Sequence, residues 1–194
     1  MNKQNSQQIE STVGDINDNS MVNTVYDWVR TIIFTFIIAM ICSVFLLRII
    51  KVDGGSMNDI LSDNDMVMVT DMLYTPHNGD IIVITHGEHY NKPIIKRVIA
   101  TEGQKLTLDF QNERIIVDGE VLKENYIKGT TFSQNFADYE IPSEIPKGKV
   151  FVMGDNRPIS KDSRKAEIGL IDVENIVGKA QFVAFPFNHF GYLY

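Results

Sequence analysis

Residues 94–100, Ile-Ile-Lys-Arg-Val-Ile-Ala, place two adjacent cations inside an apolar, β-branched run of strand length. Successive side chains of a strand point to opposite faces, so Lys96 and Arg97 lie on different faces. One of them must therefore point toward the buried side of a sheet. A lysine among Ile and Val loses solvation, which lowers its pKa and leaves part of it neutral and able to accept a proton. The alternative is a strand whose edge cations discourage aggregation.

Further short runs rich in β-branched residues have the length of strands. They are residues 66–69, 81–84, 113–117, 150–153 and 180–185. Asp118-Gly119, which follows the third run, is typical of a two-residue hairpin turn. The sequence therefore predicts a mainly β domain over residues 51–194, long enough to bury a core, with residues 105–150 as a less regular accessory part.

An apolar segment precedes this domain. Residues 31–47 carry no charge, and with residues 48–50 they would make about 30 Å of helix, the thickness of a bilayer core. The segment is apolar all round, whereas a core helix of a soluble domain shows a polar stripe. A cleaved signal peptide would need a shorter leader and a small-residue cleavage site after Leu47. A helix could already begin near Asn23.

The chain is therefore predicted to have three parts. Residues 1–29 form a polar tail, residues 30–50 form a transmembrane helix, and residues 51–194 form the β-rich domain. Charge does not decide the orientation, because Arg30 stands against Arg48 and Lys51 and a long domain follows.

Composition excludes several function classes. The 194 residues are 44% hydrophobic and 22% charged, an ordinary globular mixture. With 25 acidic against 18 basic residues the net charge is −7, which argues against sequence-independent binding of nucleic acid. A single cysteine excludes an internal disulfide framework and a cysteine-based zinc site.

Two further stretches could carry chemistry. Gly54-Gly55-Ser56-Met57 allows a sharp turn that exposes a hydroxyl and aims backbone N–H groups at a developing oxyanion, although Gly-Gly-Ser is also a common linker. Residues 154–164 contain two Asp, one Asn, two Ser and two Arg. That density of donors and acceptors predicts a fixed polar network, with a solvated loop as the alternative.

Three motifs, in this order behind an apolar helix, resemble those of the type I signal peptidases. They are Gly-Ser-Met at 55–57, Lys-Arg-Val at 96–98 and Gly-Asp-Asn-Arg-x-x-Ser-x-Asp-Ser-Arg at 154–164. The resemblance runs from Tyr26 to the end of the chain, and the short chain with one anchor is similar to the bacterial, Gram-positive-like branch. It implies two antiparallel β-sheets and an active site near the outer membrane surface. The tail would then lie in the cytoplasm and the peptidase domain outside the cell membrane.

The resemblance also implies a role for each matching position. Ser56 matches the nucleophile, Lys96 the general base, and Ser160 the serine that hydrogen-bonds and orients the lysine. Asp162 and Arg164 match the pair that braces the loop. The family's turn beneath this loop is matched by Gly154, Asp155, Asn156 and Arg157.

The implied activity is that of a membrane-bound serine endopeptidase that removes N-terminal signal peptides through an acyl-enzyme intermediate. The expected partners are signal peptides of secretory precursors and membrane phospholipid, without cofactor, metal or nucleic acid. The chain departs from the family pattern at two places. Gly54 stands where some relatives have a serine hydroxyl, and Asp59-Ile60 replaces the usual Pro-Thr after the nucleophile.

Other interpretations fit fewer residues. His86-Gly87-Glu88-His89 could suggest a metal site, but a third ligand cluster is not evident. Asp63-Asn64-Asp65 lacks the glycine and the terminal glutamate of a calcium loop. A self-cleaving repressor protease shares a Ser-Lys pair but has a DNA-binding domain in place of the membrane helix. A catalytically silent, membrane-tethered binding module would not need Ser56, Lys96 and Ser160 together.

Overall fold

The computed structural model describes residues 21–40, 48–71, 74–85, 92–127, 129–130 and 137–193. The chain divides into two compact units, Met1–Phe45 and Leu46–Tyr194. Helix α1, Met21–Met40, belongs to the first unit, and its side chains are exposed along its whole length. Within the described residues it is the one helix long and apolar enough to cross a membrane.

The predicted bounds of the membrane helix need a correction. The helix already includes residues 21–29, which the sequence assigned to the tail, and Arg48–Lys51 form strand β1 instead of its last turn. β1 pairs with the next strand, and Ile50 packs against the buried core while Ile49 is 56% exposed. Apolar composition alone does not distinguish such a strand from a lipid-facing helix. Residues 41–47 lie outside the described residues.

The second unit contains a large antiparallel sheet. Its strands are β1 (Arg48–Lys51), β2 (Met66–Thr70), β3 (Ile81–Ile84), β4 (Ile94–Ala100), β8 (Lys149–Met153), β9 (Ile171–Asp172), β10 (Ile176–Phe185) and β11 (Gly191–Tyr192). The spatial order is β1-β2-β10-β3-β4-β8-β9, and β11 pairs with β10. Short 3-10 turns at Val173–Asn175 and Phe187–His189 flank β10. The sheet places β4 in its interior, between β3 and β8.

A second, smaller antiparallel sheet occupies the start of the accessory part. It consists of β5 (Leu106–Asp109), β6 (Arg114–Val117) and β7 (Glu120–Val121), and the Asp118-Gly119 turn joins the last two. The described residues from 122 to 148 form no strand, and a single bridge pairs Lys105 with Glu144. The predicted mainly β fold with two antiparallel sheets is confirmed.

Three apolar clusters form the core around β4. One lies under β1, β2 and the Ser56 turn and includes Met57 and Leu61. A second joins the small sheet to β4 and β8 through residues such as Leu106 and Phe151. The third includes Ile82, Val98 and Val152. β4 takes part in all three clusters, through Ile95, Ile99 and Val98 respectively. Every residue from Ile95 to Ala100 is buried, so neither face of this strand is left to solvent.

Gly178 illustrates how closely the strands of the large sheet approach each other. Its φ is +151°, and a Cβ built there would lie 2.3 Å from the carbonyl oxygen of Thr70 on β2. A side chain would therefore push β10 away from β2. The register shift in β10 beside this residue depends on its being glycine.

Candidate active site

Strand β4 buries both of its cations. Lys96 lies opposite Ile82 and Arg97 lies opposite Ile81, and their exposed fractions are 3% and 1%. We expected one of the two cations to face the interior. Both do, because both faces of the strand are covered. The alternative of an edge strand with solvated cations is wrong, since β3 and β8 flank β4.

Lys96 and Ser56 are in direct contact. Lys96 Nζ donates a hydrogen bond to Ser56 Oγ at 2.8 Å and a second one to the carbonyl oxygen of Ile95 at 2.9 Å. Burial lowers the pKa of Lys96 from 10.5 to about 8, against the opposing pull of the Asp162 and Asp155 carboxylates. An amine that is partly neutral near pH 8 can accept the proton of the hydroxyl it touches.

The Ser56 turn is held from three directions. The N–H of Gly54, whose φ is +93°, donates to Asp63 Oδ1 at 2.8 Å. Asn156 donates from Nδ2 to the Gly55 carbonyl and from its backbone N–H to the Ser56 carbonyl, both at 3.0 Å. The next residue, Met57, is 1% exposed. The linker interpretation of Gly-Gly-Ser is therefore wrong, because this segment is fixed on both sides.

The polar segment 154–164 is a buried network and not a solvated loop. Asp155 accepts two hydrogen bonds from Arg97, at 2.9 and 2.7 Å. Asp162 pairs with Arg164 at 2.8 Å and accepts the Gly154 N–H at 3.1 Å. Burial opposes the ionised carboxylate of Asp162, but the Arg164 guanidinium prevails and lowers its pKa. The Asp162–Arg164 pair implied by the resemblance is thus formed, and its role in bracing the loop stays a prediction.

Gly154 marks the closest approach between this network and the Ser56 turn. A Cβ at position 154 would lie 2.3 Å from Ser160 Oγ and 2.5 Å from the Ser56 carbonyl oxygen. Real Cβ atoms do not approach other atoms so closely, and the two segments could not meet around any other residue. The glycine therefore permits the contact that the site requires.

Ser160 is close to the site, but not in the implied contact. It is 1% exposed and lies against Gly154. Its Oγ makes no hydrogen bond of ordinary geometry to any described residue, Lys96 included. The expected Ser160–Lys96 hydrogen bond is therefore absent, because Lys96 Nζ directs its bonds to Ser56 and Ile95.

Two residues of the accessory part support the network, although no sequence motif marks them. The ring of Tyr126 lies 4.0 Å from Arg97 Cζ, a cation–π contact. Glu124, whose side chain is 8% exposed, forms a bidentate ion pair with Arg157. Both residues come from a stretch without periodicity, so only the fold brings them to the network.

The acidic run Asp63-Asn64-Asp65, considered for calcium, makes contacts within the chain. Asp63 accepts the Gly54 N–H, and Asp65 accepts the Ser62 N–H at 2.8 Å and pairs with His189 at 2.7 Å. His86 and His89, considered for a metal, lie outside the described residues.

A crevice lies beside Ser56 and Lys96. It has a volume of about 40 Å³ and is lined by apolar and polar residues of two segments, residues 50–57 and 93–96. Ile50, Val52, Met57 and Ile95 contribute to its walls.

Comparisons with known proteins agree on one family. The family model described as signal peptidase, peptidase S26, matches residues 25–185. The chain is 33% identical over 178 residues to signal peptidase I of Bacillus licheniformis, covering 86% of this chain and 91% of that protein. It is 33% identical over 190 residues to signal peptidase IB of Staphylococcus aureus strain MRSA252, covering 89% and 95%. A crystal structure of a signal peptidase I from Enterococcus faecalis V583 matches with a TM-score of 0.47 and 23% identity, covering 56% of this chain and 98% of that chain.

These matches define the class of the protein, a hydrolase of the serine endopeptidase type. The chain belongs to the signal peptidase family, peptidase S26, and its relatives place it in the type I, Gram-positive-like branch. The resemblance drawn from the three motifs is confirmed.

Proposed function

We propose that this chain removes N-terminal signal peptides from exported precursor proteins, with Ser56 as nucleophile and Lys96 as general base. The observation that carries the proposal is the 2.8 Å hydrogen bond between Lys96 Nζ and Ser56 Oγ in a buried setting. The names of the relatives support the substrate class.

The proposed reaction follows from this pair. Neutral Lys96 accepts the Ser56 proton while Ser56 Oγ attacks the scissile carbonyl carbon, and the carbonyl π electrons move to oxygen. The amine leaves with the proton that Lys96 holds, and an acyl-enzyme remains. Lys96 then takes a proton from water, which attacks the ester and frees the cleaved signal peptide. Ser56 regains its proton from Lys96.

The other site residues support this pair without touching the reacting atoms. Arg97–Asp155 and Asp162–Arg164 fix the segment that carries Asn156 and packs on the Ser56 carbonyl. Gly154 allows that packing, and Arg157 connects the segment to Glu124. We propose that Ser160, which is 1% exposed and lies against Gly154, supports the site through this packing.

The size of the crevice supports cleavage after small residues. Its volume of about 40 Å³ suits an alanine side chain immediately before the scissile bond. A larger side chain would overlap the walls, so the crevice excludes by shape. The proposal therefore includes cleavage of Ala-x-Ala type, in which the middle residue is free to vary.

We further propose a single-pass topology. Helix α1 is the candidate span, the tail lies in the cytoplasm and the peptidase domain outside, where it meets exported precursors and phospholipid. Protease added to intact spheroplasts would then digest the peptidase domain and leave the tail protected.

The decisive experiment compares three forms of the full-length protein in detergent with a secretory precursor as substrate. Ser56→Ala should lower cleavage by at least about 10⁴-fold and leave thermal unfolding unchanged. Ser62→Ala is the matched control, since Ser62 is an exposed serine six positions later. Substantial cleavage by Ser56→Ala, or none by the unaltered protein, would overturn the proposal.

A further inference from the structure

The peptide unit between Gly55 and Ser56 is held by its carbonyl oxygen. This oxygen accepts a hydrogen bond from Asn156 Nδ2 at 3.0 Å and another from the backbone N–H of Asn58 at 3.2 Å. The unit is trans and planar, so its C=O and N–H bonds point in opposite directions. Anchoring the oxygen therefore fixes the direction of the Ser56 N–H.

The Ser56 N–H is a free donor next to the nucleophile. No described residue accepts a hydrogen bond from it, and Ser56 itself is only partly buried. A backbone N–H at this place can donate to the oxygen that becomes negatively charged when the hydroxyl attacks a carbonyl. Such a donor is effective only if it is aimed before the reaction, because reorientation during the reaction would cost free energy.

Asn156 is itself held rigidly enough to aim this donor. It is 8% exposed, and its backbone N–H donates to the Ser56 carbonyl at 3.0 Å. The preceding residue, Asp155, is fixed by two hydrogen bonds from Arg97. Asn156 thus donates hydrogen bonds to the carbonyl oxygens of both Gly55 and Ser56. The Arg97–Asp155 ion pair holds the residue before Asn156 in place.

We propose that Asn156 is a positioning residue, whose side-chain amide orients the Gly55–Ser56 peptide so that the Ser56 N–H stabilises the oxyanion. The inference rests on the proposed function of Ser56 and Lys96. It assigns to Asn156 an effect on transition-state stabilisation, distinct from substrate affinity and from the protonation of Lys96.

Two variants of the full-length protein test this role. Asn156→Ala removes only the side chain and keeps the backbone bond to Ser56. Asn156→Asp keeps the shape but places a carboxylate oxygen where Nδ2 donates. Asn188→Asp, at an exposed position in the 3-10 turn before β11, is the matched control for the added charge.

Four measurements separate positioning from a merely structural effect. We expect Asn156→Ala to lower kcat by about 10- to 100-fold, less than the loss of an oxyanion donor itself, with KM unchanged. Affinity for a peptide aldehyde ending in alanine should fall by a similar factor, because its adduct with Ser56 carries the same oxygen. Affinity for an uncleavable peptide of the same sequence, and the midpoint of the pH–rate profile, should stay the same. Asn156→Asp should lose at least as much kcat as the alanine variant, and the control should match the unaltered protein.

Two results would overturn the inference. Unchanged kcat in both Asn156 variants would show that the peptide is oriented without the side chain. Equal losses of affinity for the aldehyde and the uncleavable peptide would show a general distortion of the site. Failure of the proposed function is distinguishable from both, since it would appear as cleavage by Ser56→Ala or inactivity of the unaltered protein.

Discussion

Both sheets of the peptidase unit bury apolar side chains, but only the large sheet also buries charged ones. Strand β4 of the large sheet carries Lys96 and Arg97, and segment 154–164 carries four further buried charges, Asp155, Arg157, Asp162 and Arg164; the exposed fractions of all six are close to zero. The small sheet buries Leu106, Ile115 and Val117, all apolar. Burying charge gives little net stability even when it is paired, whereas burying apolar area stabilises directly. The comparison indicates that the buried charges of the large sheet serve the chemistry of the site, whereas the small sheet contributes mainly to stability.

Replacing the buried amine of Lys96 should have the largest effect on cleavage. It should also separate the contribution of this residue to chemistry from its contribution to stability most clearly. Lys96→Met keeps the volume but removes the proposed base, so precursor cleavage should fall by at least about 10⁴-fold. The folded protein should become more stable at pH 7, by about 1–4 kcal/mol, because it no longer buries an ionisable group. Cleavage assays and thermal unfolding in detergent check both. A variant less stable than the unaltered protein would contradict the comparison.

The same substitution should change how stability depends on pH. The pKa of Lys96 is 10.5 when unfolded and about 8 when folded, so between these values the unfolded state binds more protons. Lys96 therefore makes stability rise with pH across that window, and the Met variant should lack this rise.

Breaking the ion pair on the opposite face of β4 should have the next largest effect. Asp155→Ala leaves the Arg97 guanidinium buried without its carboxylate, which should cost about 3–5 kcal/mol of unfolding free energy. Asp172→Ala is the control, because its pair with Lys149 is solvent-exposed and should contribute at most about 1 kcal/mol. Equal effects of the two variants would show that burial of the pair is not what matters.

A cavity in the small sheet should reduce stability alone. Leu106→Ala removes a side chain that is 4% exposed, and we expect a loss of about 2–4 kcal/mol. At temperatures well below the transition, kcat should stay within about twofold of the unaltered value, since ordinary packing positions carry no chemistry. A tenfold fall of kcat in the folded variant would give the small sheet a part in the reaction.

The mildest test changes only pH. Below the Lys96 pKa of about 8, kcat/KM should rise about tenfold per pH unit, because only the neutral amine accepts the Ser56 proton. Above it the rate should level off. A rate that falls from pH 6 to pH 8 would show that Lys96 is not the base.

The sequence predicted those elements of the fold that depend on a local residue pattern. The β-branched runs gave the main strands, and Asp118-Gly119 gave the hairpin between β6 and β7. Leu106–Asp109 was missed, because four residues ending in Asp carry too little pattern to predict a strand. β9 and β11 were missed for the same reason, each being two residues long.

The site was predicted as far as its motifs extend. The resemblance implied that Ser56, Lys96 and segment 154–164 belong to one site, and in the structure Ser56 contacts both Lys96 and Asn156 of that segment. The roles of these residues stay predictions. The contribution of Glu124 and Tyr126 could not be predicted, since their partners lie more than 25 residues away and no spacing rule links them. The partner of Ser160 was wrongly predicted, because a motif specifies which residues meet but not which donor takes which acceptor.

The Asp162–Arg164 pair has a consequence for how this sequence can change over evolutionary time. Both side chains are 0% exposed and pair across a single intervening residue. Losing either one alone leaves the other charge buried without it, at about 3–5 kcal/mol, much of an ordinary net stability of about 5–15 kcal/mol. Most single-substitution intermediates would therefore be removed by selection. We expect active descendants of this chain to keep both residues, and the few that depart to have exchanged both together.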